Sequence, residues 1–209
     1  MTAAGPTRLC RRLGHGYSVA MLSRMLVRIV LAVALLATSA TLAAADEGQP
    51  VAFGDWDLGL QSGYLFGVTN NAAAVTFMPR VGRMLWVGAG EQPGAVSFGI
   101  EGIFTHFHES NSAMELGGGP YLRYRWVRPW VQPYAEVGVG MLYNDLKHYS
   151  LSSRVLFSVN GAVGVEIPVA DRFGITLGYR FRHISNAGQD EVNPGLNTNI
   201  ICAGVTLTY

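Results

Sequence analysis

Cysteine is nearly absent from this sequence, which has two cysteines among 209 residues. Cys10 lies within the first 45 residues, which we expect to be removed, so Cys202 is the only cysteine expected in the mature protein. A single cysteine cannot form an intramolecular disulfide, nor can it supply a cysteine-rich metal site. The low cysteine count therefore excludes a disulfide framework and a thiolate metal centre.

An excess of positive charge is also missing once the first 45 residues are set aside. Those residues contain five arginines and no acidic residue, so the other 164 residues have 10 basic and 14 acidic side chains, a net charge of −4. Nucleic-acid-binding domains are usually basic. The charge therefore argues against a nucleic-acid partner, and the length corresponds to one domain.

The first 45 residues have the composition of a secretory signal peptide. Their basic part is followed by an apolar run, Ile29 to Leu42, and by Ala43-Ala44-Ala45 before Asp46. A transmembrane helix needs about 20 apolar residues, and this run is shorter. We therefore expect residues 1–45 to be cleaved and residues 46–209 to form the mature domain, with a retained anchor as the alternative. The basic part is long, so Met21 and Met25 are alternative starts.

The mature part has no stretch with a sustained apolar period of 3.6 residues, so no helix is predicted. It contains eight segments in which apolar residues alternate with polar or small ones, and this alternation predicts eight β-strands. The segments are residues 55–66, 73–84, 95–107, 114–126, 130–143, 155–168, 173–185 and 197–209.

The alternation fits a soluble sandwich with its apolar face inward or a membrane barrel with its apolar face outward. Three features favour a barrel: charges of both signs on a glycine-rich polar face, aromatic residues near strand ends, and a terminal alternating strand. We therefore predict an all-β, eight-stranded, antiparallel up-and-down transmembrane barrel, filled by side chains and without a pore. The charges are Glu101, Glu136, Glu166, Arg80, Arg123, Arg125, Arg180 and Arg182, and the aromatic residues are Trp126, Trp130, Tyr143, Tyr179 and Tyr209.

Polar residues that break the lipid-facing pattern occur at the end of the seventh predicted strand and the start of the eighth. With both termini on the periplasmic side, the seventh strand runs outward, and its parity places His183 and Ser185 on the lipid-facing side at its outer end. Asn197 and Asn199 start the eighth strand at the same height. Side chains at i and i+2 share a face, and cross-strand neighbours lie about 5 Å apart. These groups should therefore converge on the outer surface of the barrel.

This combination of residue types has a specific chemical interpretation. A serine hydroxyl becomes a good nucleophile when a base takes its proton and a third group orients that base. Ser185 is the candidate nucleophile, His183 the candidate base and Asn197 the candidate orienter. A buried lipid ester would reach such a site from the membrane. The alternative is that these residues only cap a strand at the wet interface, and the residues by themselves leave both interpretations open.

A second histidine group suggests a metal only weakly. His106 and His108 are followed by Glu109, but we expect this group in a solvated external loop, without further ligands. We therefore predict no metal ion and no cofactor.

The segment 181–188 (FRHISNAG), followed by Asn193-Pro194-Gly195, resembles the signature of the outer-membrane lipid A 3-O-deacylase family (PagL-like). The resemblance covers the mature chain in layout and residues 181–197 in motif. It implies an eight-stranded outer-membrane barrel that removes the ester-linked acyl chain at position 3 of lipid A, using a Ser-His-acid triad on its outer surface. It implies lipid A of lipopolysaccharide as the substrate.

Carried over by this resemblance, Ser185 is the nucleophile and His183 the base. Asn193 matches an asparagine that is important for activity, near the oxyanion, and backbone N–H groups of residues 186–188 are further candidates there. The sequence departs from the family at the third member, because Asn197 occupies the place of the family's glutamate.

An amide can hold a histidine tautomer but cannot stabilise an imidazolium by charge. The loop acids Asp190 and Glu191 are therefore kept as alternatives to Asn197. The expected function is a Ca²⁺-independent serine esterase acting on lipid A in the outer leaflet, with a homodimer as a possible assembly. The alternative is a non-catalytic barrel with a structural, adhesion or resistance role.

Overall fold

A computed structural model describes residues 52, 54–68, 73–88, 94–108, 113–144, 153–189 and 195–209. The segment predicted to be a signal peptide, residues 1–45, lies outside the described residues. No helix within the described ranges is long and apolar enough to cross a membrane.

Eight strands follow one another along the chain, as the alternation predicts. They are β1 (Trp56–Gly67), β2 (Ala73–Val87), β3 (Ala95–Phe107), β4 (Ala113–Arg125), β5 (Gln132–Asn144), β6 (Val155–Ala170), β7 (Phe173–Ser185) and β8 (Leu196–Thr208). Each strand pairs antiparallel with its neighbours in sequence, and β8 pairs with β1 to close the barrel. The predicted eight-stranded up-and-down barrel is confirmed.

The pairing register gives the stagger of the strands around the barrel. Following directly paired residues once around from Asp57 in β1 leads to Gly67 in the same strand, ten residues farther along. Closure of a barrel requires such a stagger, which tilts the strands by about 40° from the barrel axis. Eight strands at this tilt enclose a space that side chains can fill.

The two faces of the barrel wall differ in polarity. Along the strands, residues of one parity are buried inside, whereas those of the other parity are largely apolar and exposed, as in Ile100, Val139 and Ile201. Exposed apolar side chains around a closed barrel are suited to a hydrocarbon environment. Among the charged residues of the described strands, Arg83 alone has the outward parity, and it lies near the end of the barrel where β1 begins.

Charged residues in the barrel interior are balanced in sign. Glu136 is central, because it pairs with Arg80 at 3.1 Å, with Arg123 at 2.6 Å and with Arg180 at 2.7 Å. Other pairs are Arg180 with Glu101, Arg125 with Glu166, and Arg182 with Glu115. The buried charged residues in the described ranges are five arginines (Arg80, Arg123, Arg125, Arg180, Arg182) and five carboxylates (Asp57, Glu101, Glu115, Glu136, Glu166).

The shortest connection, residues 171–172 between β6 and β7, lies at the end of the barrel where β1 begins and β8 ends, and there Trp56 N–H donates to the Tyr209 carbonyl at 2.6 Å. The β2–β3 connection is shorter than the sequence indicates. A bulge between Met84 and Trp86 lets β2 continue to Val87, and Gly88 N–H bonds the Gly94 carbonyl at 2.8 Å. The longer β5–β6 and β7–β8 connections lie at the opposite end, which is therefore the predicted outer end.

Aromatic residues gather at the end of the barrel where β1 begins and β8 ends. Tyr124 lies between Trp86 and Trp126, with ring centroids 6.4 and 4.6 Å away. Such rings are typical of a membrane interface. Tyr179, which the sequence places near a strand end, lies instead in the middle of β7, and its hydroxyl has a different partner described below.

Candidate active site

The polar residues predicted to converge are placed together by the β7–β8 ladder. His183 is directly paired with Asn197, and Ile184 with Leu196, so the register continues to Ser185 opposite Gly195. His183, Ser185 and Asn197 have the outward parity and are half-buried, whereas Arg182 and Ile184 between them point into the barrel. The predicted outward parity of these residues is therefore observed, at the end of the barrel opposite the β6–β7 turn.

The imidazole of His183 is held by Asn197. Its Nδ1 atom lies 2.7 Å from Oδ1 of Asn197, a short hydrogen-bond distance. An amide oxygen only accepts hydrogen bonds, so this contact requires the proton on Nδ1 and leaves Nε2 as the acceptor of the neutral ring. Asn197 thus selects the tautomer that a general base needs.

The other edge of the imidazole lies over Gly195. A Cβ atom built on Gly195 would be 2.8 Å from Cε1 of His183 and 3.5 Å from Nε2. Gly195 lies at the same height along the β7–β8 pair as Ser185. The ring therefore extends from the height of Asn197 toward the height of the serine. The Nδ1 edge therefore points at the amide, and the edge formed by Cε1 and Nε2 lies next to Gly195.

Ser185 is close in sequence to His183 but is not bonded to it. Residues two apart in a strand are separated by about 6.7 Å along the chain. Among the described residues no hydrogen bond involves the Ser185 hydroxyl, whose Oγ atom can occupy three staggered positions. Contacts between a nucleophile and its base are often long until substrate binds.

A tight turn follows Ser185 and uses one of the expected N–H donors, that of Gly188. Gln189 N–H bonds the Asn186 carbonyl at 3.1 Å, and Gly188 N–H bonds Oδ1 of Asn186 at 2.9 Å. Ala187 and Gly188 have φ of +52° and +79°, as in a type I′ turn. Of the N–H groups considered for an oxyanion, that of Gly188 is therefore already bonded, whereas that of Ala187 has no partner among the described residues.

A second polar pair, which residue parity does not predict, lies on the same wall closer to the middle of the barrel. The Tyr179 hydroxyl donates to Oδ1 of Asn199, two residues beyond Asn197 on the same face. A polar group facing hydrocarbon is costly unless it is hydrogen-bonded, and this contact reduces the cost for both side chains. The outward parity of Asn199 was the available signal, but parity does not identify the bonding partner.

The three loop residues considered as site members, Asp190, Glu191 and Asn193, lie outside the described residues. His106 is the last outward-facing residue of β3, not a loop residue, and His108 follows the strand, with ring centroids 5.2 Å apart. Within the described ranges no three histidine, cysteine or acidic side chains are grouped in a way that could bind a metal ion.

Comparisons with solved structures identify similar barrels. The crystal structure of the outer membrane enzyme PagL matches with a TM-score of 0.54 and 18% identity, covering 71% of this chain and 97% of that one. The crystal structure of Neisserial surface protein A (NspA) matches with a TM-score of 0.54 and 14% identity, covering 77% of this chain and 100% of that one. At these identities the likeness concerns the fold. No curated protein matches significantly in sequence.

The closed wall, apolar outside and charged inside, and the likeness to these structures define an eight-stranded barrel protein of the outer-membrane type. A family model then gives the particular relationship. The model of lipid A 3-O-deacylase (PagL) matches residues 45–206, which is most of the chain. The chain belongs to the lipid A 3-O-deacylase (PagL) family.

Proposed function

We propose that this protein is a serine esterase that hydrolyses the 3-O-linked acyl ester of lipid A in the outer leaflet of the outer membrane. The observation that carries the proposal is the contact of 2.7 Å between His183 Nδ1 and Asn197 Oδ1 on the outward face, with the Nε2 edge turned toward the level of Ser185. Family membership supports lipid A as the substrate.

The reaction proceeds in two stages. His183 Nε2 takes the proton of the Ser185 hydroxyl while Oγ attacks the ester carbonyl carbon, and the imidazolium then gives that proton to the departing sugar oxygen. Water, deprotonated by the same imidazole, next attacks the acyl-serine, which releases the fatty acid and restores Ser185. Asn197 keeps the ring in one tautomer in both stages.

The developing oxyanion needs hydrogen-bond donors. Asn193 is assigned to this task by the family signature. The N–H of Ala187, in the turn that follows the nucleophile, is the candidate backbone donor. In this proposal the loop acids Asp190 and Glu191 are not required, because Asn197 already contacts the imidazole.

The outer end of the barrel is suited to this substrate because the candidate residues lie on its lipid-facing wall. An acyl chain can remain among the neighbouring lipids while its ester reaches Ser185 at the interface. This assignment takes the end with the longer connections as the outer end and residues 1–45 as a cleaved export signal, both of which stay predictions. A homodimer is a further prediction and is not needed for the reaction.

The test is mass spectrometry of lipid A from cells that express the protein. Wild-type protein should remove one 3-hydroxyacyl chain from lipid A, and the Ser185→Ala variant should leave that chain in place. Ser62→Ala is the matched control, because it makes the same change on the outward face of β1, away from the candidate site. The mobility difference between unheated and heated protein in electrophoresis verifies folding. Unchanged lipid A with folded wild-type protein would favour the non-catalytic barrel.

A further inference from the structure

Gly195 has an unusual backbone and an unusual neighbour. Its φ is +67°, in the left-handed region that favours glycine. It immediately precedes β8, and the β7–β8 register, extended by one residue beyond the Ile184–Leu196 pair, places it opposite Ser185. The backbone explains why glycine is favoured, but it does not explain the contact with the imidazole.

The neighbour is the ring of His183. A Cβ atom at position 195 would lie 2.8 Å from Cε1, which is closer than real Cβ atoms approach other heavy atoms. The same atom would be 3.5 Å from Nε2 and 3.5 Å from the Ile184 carbonyl oxygen. Because Cε1 belongs to a movable side chain, an added methyl group would displace the ring instead of breaking the strand.

We propose that Gly195 is a positioning residue, whose bare Cα lets the His183 imidazole approach β8 with Nδ1 on Asn197 and Nε2 beside Gly195, at the height of Ser185. This inference rests on the proposed function, because it assigns Gly195 a part in the same reaction. The ring is limited on two sides: Asn197 holds one nitrogen, and the surface of Gly195 sets how close the opposite edge lies to the wall.

Displacing the ring by a few tenths of an ångström has a specific consequence. The Nδ1–Oδ1 distance is 2.7 Å, and a ring pushed away from the wall lengthens or bends this contact. Once the contact weakens, the proton is no longer confined to Nδ1, and Nε2 is protonated in part of the population. A ring protonated at Nε2 cannot accept the serine proton.

Two variants separate the added Cβ from the backbone conformation. Gly195→Ala introduces a Cβ and a residue that disfavours positive φ, whereas Gly195→Asn introduces a Cβ on a residue that tolerates positive φ. Gly54→Ala is the matched control, because Gly54 has φ of +86° and a Cβ there would meet nothing within 4 Å. Gly54 also precedes β1 at the opposite end of the barrel, away from the candidate site.

The measurements are steady-state kinetics on lipid A in detergent micelles and nitrogen-15 NMR of the histidine rings, with the His183 signals assigned by His183→Ala. In both position-195 variants we expect kcat to fall at least tenfold with KM nearly unchanged, and the His183 Nε2 signal to move toward its protonated position. Gly54→Ala should leave both readouts as in wild type. If Gly195→Ala fails to fold, Gly195→Asn provides the test.

Unchanged His183 tautomers in the folded position-195 variants would overturn the inference, even if kcat fell. A tautomer change without a fall in kcat would overturn it as well. The proposed function fails separately, if folded wild-type protein hydrolyses no lipid A. In that case the NMR signals still show whether Gly195 controls the ring.

Discussion

Replacing Asn197 by aspartate should raise the rate of ester hydrolysis about tenfold, since the change adds a charge without changing the shape of the side chain. Oδ1 of Asn197 already lies 2.7 Å from Nδ1 of His183. Aspartate can place a carboxylate oxygen at the same point. The family's glutamate has one more methylene group, which would have to fold to reach that point, so aspartate is the cleaner substitution.

The magnitude follows from the change in hydrogen-bond type. When His183 takes the serine proton, the neutral amide makes an ordinary hydrogen bond, whereas a carboxylate makes an ion-assisted one. Net contributions are about 1 kcal/mol for neutral pairs and about 1.5–3 kcal/mol for hydrogen bonds to charged groups. A difference of about 1.4 kcal/mol in the transition state corresponds to a factor of ten in rate.

The assay is single-turnover release of the fatty acid from lipid A by purified protein in micelles, which isolates the chemical step from product release. Asn199→Asp is the matched control, because it adds the same charge on the same face two residues away, next to Tyr179 and not His183. The control should not increase the rate. Asn197→Leu, which removes the hydrogen bond with little change in size, should reduce the rate at least tenfold.

Two results would refute the reasoning. If Asn197→Leu retained the wild-type rate, the observed contact with His183 would have no catalytic role, and the loop acids Asp190 and Glu191 would become the candidates for the third member. If Asn197→Asp and Asn199→Asp raised the rate equally, the gain would come from the surface charge and not from the contact with the imidazole.

Two further predictions concern stability, measured by urea unfolding of the folded barrel in lipid vesicles. Arg182→Met should reduce the free energy of unfolding by about 3–5 kcal/mol, because it leaves buried Glu115 without its arginine, and Arg182→Met combined with Glu115→Leu should recover at least half of that loss. A double variant as unstable as the single one would contradict this. Ala187→Gly should raise the free energy of unfolding by roughly 0.5 kcal/mol. Glycine relieves the backbone strain of Ala187 at positive φ, about 1–2 kcal/mol, and this gain exceeds the entropic cost of glycine. A decrease in the free energy of unfolding would show that Ala187 is not strained.

Most of the fold follows from residue parity in the sequence. Alternation at every second residue determines which side chains face the lumen, and the arginines and glutamates predicted there are buried. Asp57 and Glu115 are also buried, but neither was assigned to the lumen from the sequence. In β1 the glycines at positions 59 and 63 share the parity of Asp57 and weaken its polar signal, and in β4 three consecutive glycines interrupt the alternation.

The end of β2 could not be located from the pattern, because a bulge changes the parity of the strand. Leu85 and Trp86 are consecutive and both exposed, which a strictly alternating strand does not allow. The predicted strand therefore stops at residue 84, whereas the structure continues it to Val87. A bulge depends on local twist and pairing, and alternation alone does not encode it.

The candidate site was predictable as a group of residues but not as an arrangement. Parity brings His183, Ser185 and Asn197 to one face, because strand pairing determines their heights. The ring orientation depends on the Asn197 contact and on the missing Cβ of Gly195, both of which are side-chain details within a few ångströms. Parity likewise could not show that the Gly188 N–H is already bonded within the turn.

A neutral amide at position 197 has a physical advantage on this wall. The described strands direct their charged residues into the lumen, where five arginines balance five carboxylates, and Arg83 alone has the outward parity. A carboxylate at position 197 would be half-buried on the lipid-facing side, where desolvation of an ion is costly. An amide does not stabilise the imidazolium by charge, but it avoids the desolvation cost of a carboxylate. Asn197→Asp should therefore hydrolyse lipid A faster than wild type and unfold at a lower urea concentration. If the variant gained both rate and stability, the outward face of the barrel around position 197 would have to be hydrated.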